Sequence, residues 1–151
     1  MTVPFALTDV PGGMRVEFAR FGREIAVSFL GGGPPAIPVN QDLSDAQFIM
    51  NEGFTLTLQA RPDMQWGVPL VGQPVRIGEA DTWYAEHASE PTLLDNLGAK
   101  ESGTTIVTDT CIGNIWVKDK QQIPRAAVEA LITAVDFRDC ADPSTWVPLE
   151  R

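Results

Sequence analysis

The sequence predicts a mainly β fold, a small β-barrel or sandwich with one C-terminal α-helix. Three observations predict it. Apolar residues recur with period two in several short runs: Val16 and Phe18; Ile25, Val27 and Phe29; Phe54, Leu56 and Leu58; Val75 and Ile77. That period marks half-buried strands. Gly 13 and Pro 12 together make about a sixth of the 151 residues, which suits short strands joined by turns. Helical spacing of apolar residues is clear in one stretch, Pro124 to Val135.

Taken in order, Met1 to Gly13 is a lead-in, broken by Pro4, Pro11, Gly12 and Gly13. Phe5 and Leu7 are candidate anchors on a neighbouring subunit, with a mobile arm as the alternative. Met14 to Phe18 reads as a strand, with a short helix as its rival, and Glu24 to Phe29 as a clearer strand. The two pair as a hairpin across Phe21 to Glu24. Gly31-Gly32-Gly33-Pro34-Pro35 is a hairpin tip. It is no phosphate loop, because the Lys-Ser/Thr is missing and the prolines remove amide donors. Ala36 to Val39 is an edge strand containing Pro38. In Asn40 to Gly53, Ser44 with Gln47 three residues on could cap a helical turn, and a long loop is the alternative. Phe54 to Ala60 is the cleanest alternation in the chain.

Arg61 to Pro69 is a connection in which Trp66 is either a lid on the core or an exposed anchor for a partner. Leu70 to Ala88 is the stretch around which the chain reads as organised. Val75 to Ile77 and Thr82 to Ala85 form a hairpin, with turn chemistry in Gly78, Glu79, Ala80 and Asp81. Pro91 to Gly98 could hold a short helix. Thr104 to Thr110 is β-branched except at Asp109. Ile112 to Val117 continues after Cys111, with Gly113-Asn114 as a turn or bulge, so the stretch is a further hairpin or a long bent strand. Pro124 sits at the first helical position, where a missing amide hydrogen costs nothing. Ala127, Val128, Leu131, Ile132 and Val135 form the apolar face, and Arg125 and Glu129 lie four apart on the solvated side. Asp142-Pro143 is a turn in the C-terminal tail, where Trp146 and Leu149 are docking residues. The organisation is one domain over 1–151. It has an N-terminal arm over 1–13, a β-rich body over 14–117, and a helix with an irregular tail over 118–151.

The formal net charge of −9 disfavours specific nucleic-acid binding, since such a surface repels phosphate backbones. No run of about 18 apolar residues is present, so no membrane partner is expected. Met1 to Leu7 lacks the pattern of a signal peptide, which suggests a chain made or assembled in the cytosol. Cys111 and Cys140 read as two buried thiols, with a disulfide as the alternative. No cofactor or metal is implied. His87 has neighbouring carboxylates in Glu86 and Glu90, but these are local neighbours and not a converging ligand set. Asp42 with Asp45, and Asp139 with Asp142, do not match a calcium loop. No Gly-x-Ser-x-Gly elbow presents a nucleophile, so no enzyme is predicted. Four Trp exceed what packing of such a domain requires, and Trp66 and Trp146 join Phe5 and Leu7 as interface candidates.

Three stretches resemble the head–tail joining proteins of tailed bacteriophages, the head-closure, adaptor or stopper class. The first is Arg20-Phe21-Gly22 with the strand Glu24 to Phe29 and the Gly31 to Gly33 tip. The second is Ala36 to Val39 with Phe54 to Ala60, and the third is Gly72 to Gly78 followed by Trp83-Tyr84. The resemblance covers about Phe18 to His87; the part from Thr104 with its helix departs from the short family pattern. It implies a structural virion protein that joins head and tail, or forms part of the tail, by ring-like self-assembly. The implied partners are portal, adaptor or tail subunits, in the virion and, during assembly, in the host cytoplasm. The alternative is a small acidic binding module or inhibitor acting on a basic host protein.

Overall fold

The structure is a computed structural model that describes residues 2–7, 15–21, 24–30, 41–42, 53–61, 72–87, 90 and 97–148. At residue 7 and along 15–21, 24–30 and 41–42 the description is of the backbone. The strands are β1 (Thr2–Val3), β2 (Phe5–Leu7), β3 (Arg15–Phe21), β4 (Glu24–Leu30), β5 (Gln41–Asp42), β6 (Phe54–Ala60), β7 (Val75–Ile77) and β8 (Ala80–Ala85). After β9 (Ser102–Val107) and β10 (Cys111–Val117) come helix α1 (Arg125–Ala134), β11 (Val135–Phe137) and β12 (Val147–Pro148).

Eight strands form one sheet in the order β5-β3-β4-β6-β10-β9-β8-β7. The terminal strands form two small ladders apart from it, β1 with β12 and β2 with β11. Sheets of this kind fit the sandwich expectation, and among the described residues they are not closed into a barrel.

Register explains the core. Leu56 pairs with Ile115 and Ile115 with Thr104, while Phe54 pairs with Val117 and Leu58 with Gly113. Paired residues point to the same face, so the alternating apolar residues of β6, β9 and β10 share one surface. Leu56, Ile106, Ile115 and Val117 are fully buried there. Val128, Leu131 and Ile132 of α1 join the same apolar cluster, as do Val3 and Phe5 from the N-terminus and Phe137 from β11. Helix and ladders thus form the second layer. Each such aliphatic side chain contributes roughly 1.5–3 kcal/mol by leaving water. The opposite face carries Thr57, Gln59, Asn114 and Trp116, a more polar row of the same strands.

Several expectations are refined. The β3–β4 hairpin pairs Phe21 with Glu24, as its spacing predicts. Pro124 precedes the first helical residue of α1 instead of occupying it, and its carbonyl accepts from the N–H groups of Ala127 and Val128. Ala127 is exposed. The β7–β8 turn is only Gly78-Glu79, with Ile77 opposite Ala80 and Gly78 at φ 58°. A left-handed residue in a two-residue hairpin turn favours glycine.

Three readings are corrected. Gly113-Asn114 is no turn. Both residues lie within β10, and the turn of the β9–β10 hairpin is Thr108 to Thr110, closed by the Thr108 N–H on the Cys111 carbonyl at 2.9 Å. A glycine is required at 113 for close approach: an added Cβ would fall on the Thr57 carbonyl oxygen, 2.8 Å from its carbon and 3.0 Å from Leu58 Cα. The β7–β8 hairpin lies at the margin of the sheet, whose middle is β6 and β10. β6, β9 and β10 are buried along most of their length, whereas β7 is largely exposed, so alternation in the hairpin marks a strand at the margin as readily as one in the middle. Cys111 and Cys140 are not free thiols but a disulfide, with Cα atoms 5.2 Å apart. The fold brings them together across 29 residues of chain, a proximity no local spacing encodes.

Ala36 to Val39, the Ser44–Gln47 pair, the Gly31 to Pro35 tip and most of Pro91 to Gly98 lie outside the described residues. Among the described residues no helix is long and apolar enough to cross a membrane.

Candidate functional site

The candidate site is the β7–β8 margin of the large sheet and the polar cluster beside it. β7 is the last strand in the sheet order, so among the described residues one side of its backbone meets no further strand. Val75 at its start is 41% exposed and is the one large apolar side chain left in solvent among the described residues. Pro74 just before it cannot donate to a ladder, which suits a strand that begins at an edge.

Side chains fix the hairpin firmly. Thr82 Oγ1 donates to the Val75 carbonyl at 2.8 Å, tying β7 to β8 beyond the backbone ladder. Trp83 Nε1 donates to the Gly72 carbonyl at 3.3 Å and anchors the chain leading into β7. Gly72 takes φ 100° there, a conformation that a side chain would resist. Arg76 and Asp81 are cross-strand partners and form an ion pair at 3.3 Å. Both are well exposed, so the pair contributes little energy and chiefly cancels charge along the margin.

At the other end of β8, Tyr84 joins the sheet to α1. Its hydroxyl donates to Glu86 Oε1 at 2.9 Å, and the Arg125 guanidinium lies 4.9 Å from its ring centre. Burial, with the Glu86 carboxylate second, holds the phenol above its ordinary value of 10.0. Lys120 approaches Glu86 Oε2 at 3.7 Å. Glu90 Oε2 accepts the N–H groups of Glu86 at 2.6 Å and His87 at 3.3 Å. Those backbone donors hold its carboxyl below the ordinary 4.5. The Glu90 carboxylate therefore closes a turn, and the exposed His87 takes part through its backbone.

Of the interface candidates, Phe5, Leu7 and Trp146 lie on other elements. Phe5 is 2% exposed, its side chain within the core cluster opposite Phe137. Leu7 pairs with Val135 along the backbone. Trp146 is half-buried against the core, with Nε1 donating to the Asp139 carbonyl at 2.8 Å. Trp66 lies outside the described residues. The acidic pairs are engaged locally: Asp139 Oδ1 accepts from the Ala141 N–H, and Asp142 Oδ1 from the Ser144 N–H and hydroxyl. Asp42 lies in β5, and Asp45 is outside the described residues. No three His, Cys, Asp or Glu converge on a metal position among the described residues.

The Tyr84–Arg125 contact was not foreseeable from sequence spacing, because 41 positions separate two residues whose helix and strand meet only in the fold. Val75 could have been flagged by its place beside Pro74, an edge signal. Comparison with protein families, with curated proteins and with solved structures finds no match to this chain.

Proposed function

We propose that this chain is a non-enzymatic structural subunit of a tailed-bacteriophage particle, joining head and tail or forming part of the tail by ring-like self-association. The observation that carries the reading is the β7 margin. It combines a strand that ends the sheet among the described residues, an exposed Val75 and a charge-cancelled Arg76–Asp81 pair. A sheet edge of this kind can accept a strand from a neighbour, with backbone hydrogen bonds supplying affinity. The resemblance over Phe18 to His87 supplies the biological setting, and its partners would be portal, adaptor or tail subunits. The subunit acts in the virion and passes through the host cytoplasm during assembly. The formal charge of −9 suits a ring that lets DNA slide through without binding it.

Sedimentation velocity of the purified chain, alone and with the portal protein of its phage, tests this reading. A ring-sized species is expected, and Val75→Lys should abolish it while leaving the melting temperature within about 2 °C, as a surface change does. A strict monomer that is also missing from purified particles overturns the proposal. A monomer that captures one basic host protein in a salt-sensitive manner points to the acidic binding module instead.

A further inference from the structure

The two ends of the described chain hold each other. β1 pairs with β12 through Thr2–Pro148 and Val3–Val147, and β2 with β11 through Phe5–Phe137 and Leu7–Val135. The Arg138 N–H donates to the Pro4 carbonyl at 2.8 Å between the two ladders. Neither ladder is part of the eight-stranded sheet. Ladders of two and three residues do not hold in water by themselves. This terminal clasp is therefore retained by its attachments to the body. Val3, Phe5 and Phe137 sit in the core cluster, and Trp146 packs against it. The Cys140 N–H donates to Thr110 Oγ1 at 3.3 Å. The covalent attachment is the Cys111–Cys140 disulfide, between the first residue of β10 and the turn after β11.

The two ends of that bond differ in how firmly they are held. Cys111 belongs to a strand paired along its length with β6 and from Ile112 onward with β9. Cys140 belongs to the clasp. The bond ties the clasp at a point three residues after β11 and seven before β12.

We propose that the Cys111–Cys140 disulfide is a redox lock on the terminal clasp. Oxidised, it pins residues 135–148 to β10 and through them the N-terminal strands. Reduced, the clasp opens locally while the eight-stranded sheet stays folded. The step is thiol–disulfide exchange with a dithiol reductant. One reductant thiolate attacks a cysteine sulfur, the S–S bond breaks, and the other cysteine leaves as a thiolate that takes a proton. The second reductant thiol then displaces the first cysteine, which is protonated in turn. Two electrons pass to the protein, and the reductant ends as its own disulfide. Cys111 is 0% exposed and Cys140 6% exposed, so attack waits on opening of the Cys140 turn. The state of the lock therefore follows the compartment: open where thiols are kept reduced, closed once the protein reaches an oxidising medium. This inference does not rest on the function proposed above.

Amide hydrogen exchange on the full chain tests it, read by mass spectrometry before and after dithiothreitol, with free thiols counted by alkylation. With β10 and α1 in place the bond ties a segment of about six residues, 135–140, and such a tether suppresses local opening by roughly ten- to a hundredfold. Reduction should raise exchange in 2–7, 135–138 and 147–148 by that order, with 54–60 and 111–117 still protected. The Cys111→Ser, Cys140→Ser double variant should reproduce the reduced pattern without reductant. Unchanged exchange with both thiols alkylated overturns the proposal. So does simultaneous loss of protection throughout the chain, or a disulfide that yields only on global unfolding.

Discussion

Gly113→Ala tests the close approach of β10 to β6. The added Cβ would sit on the Thr57 carbonyl oxygen, 2.8 Å from the carbonyl carbon and 3.0 Å from Leu58 Cα. These are backbone atoms of β6, which is itself held by β4 and β10, so no flexible side chain can swing aside. Overpacking of this kind costs about 1–3 kcal/mol, and the backbone contacts place it at the upper end. Alanine returns about 0.5–1 kcal/mol by restricting the unfolded chain and favouring the strand. The net loss is about 2–2.5 kcal/mol. For a domain of this size that lowers the melting temperature by roughly 4–10 °C. Thermal and urea melts followed by circular dichroism give the value, and an unchanged urea slope confirms that the same structure unfolds. Gly78→Ala is the comparison: nothing lies within 4 Å of its new Cβ, and only φ 58° opposes it, at about 1 kcal/mol. If Gly113→Ala melts no lower than Gly78→Ala, the close approach of β6 and β10 is not what the glycine serves.

Further outcomes follow from the same structure. Ile115→Ala empties a fully buried position between β6 and β9 and should cost about 2–5 kcal/mol in urea titrations. Arg125→Ala removes both the contact with the Tyr84 ring and the Glu129 pair at 3.2 Å, and a loss of about 0.5–1 kcal/mol is expected. The lowered Glu90 carboxyl lends stability above its unfolded value near 4.5, lost as pH falls through the lower folded value; NMR titration should place its midpoint below 4.5. The raised Tyr84 phenol works in the opposite range. Its contribution is complete below pH 10.0 and lost as pH climbs through the folded value, and absorbance titration should find the phenol ionising above 10.0.

Local periodicity carried a good part of the fold. Phe54, Leu56 and Leu58 alternate because one face of β6 is buried, and period two survives in the sequence wherever that holds. Val128, Leu131 and Ile132 mark the buried face of α1 in the same way, and Phe21 to Glu24 closes a hairpin short enough to be local. Of the candidate site, the β7–β8 hairpin was legible in its glycines and its alternating residues, while its polar neighbours Lys120 and Arg125 were not.

Alternation tells which side of a strand is buried, and it says nothing of which strand lies alongside. The sequence alone therefore determined a mainly β chain with strands and a helix at named positions. Tertiary structure decided that among the described residues β6 and β10 share the middle of the sheet and β7 ends it with Val75 exposed, that β1 and β2 meet β12 and β11, and that Cys111 meets Cys140. Each of those facts is a pairing between distant residues. It is set by the competition of whole strands for burial and register, a quantity no single stretch of sequence contains.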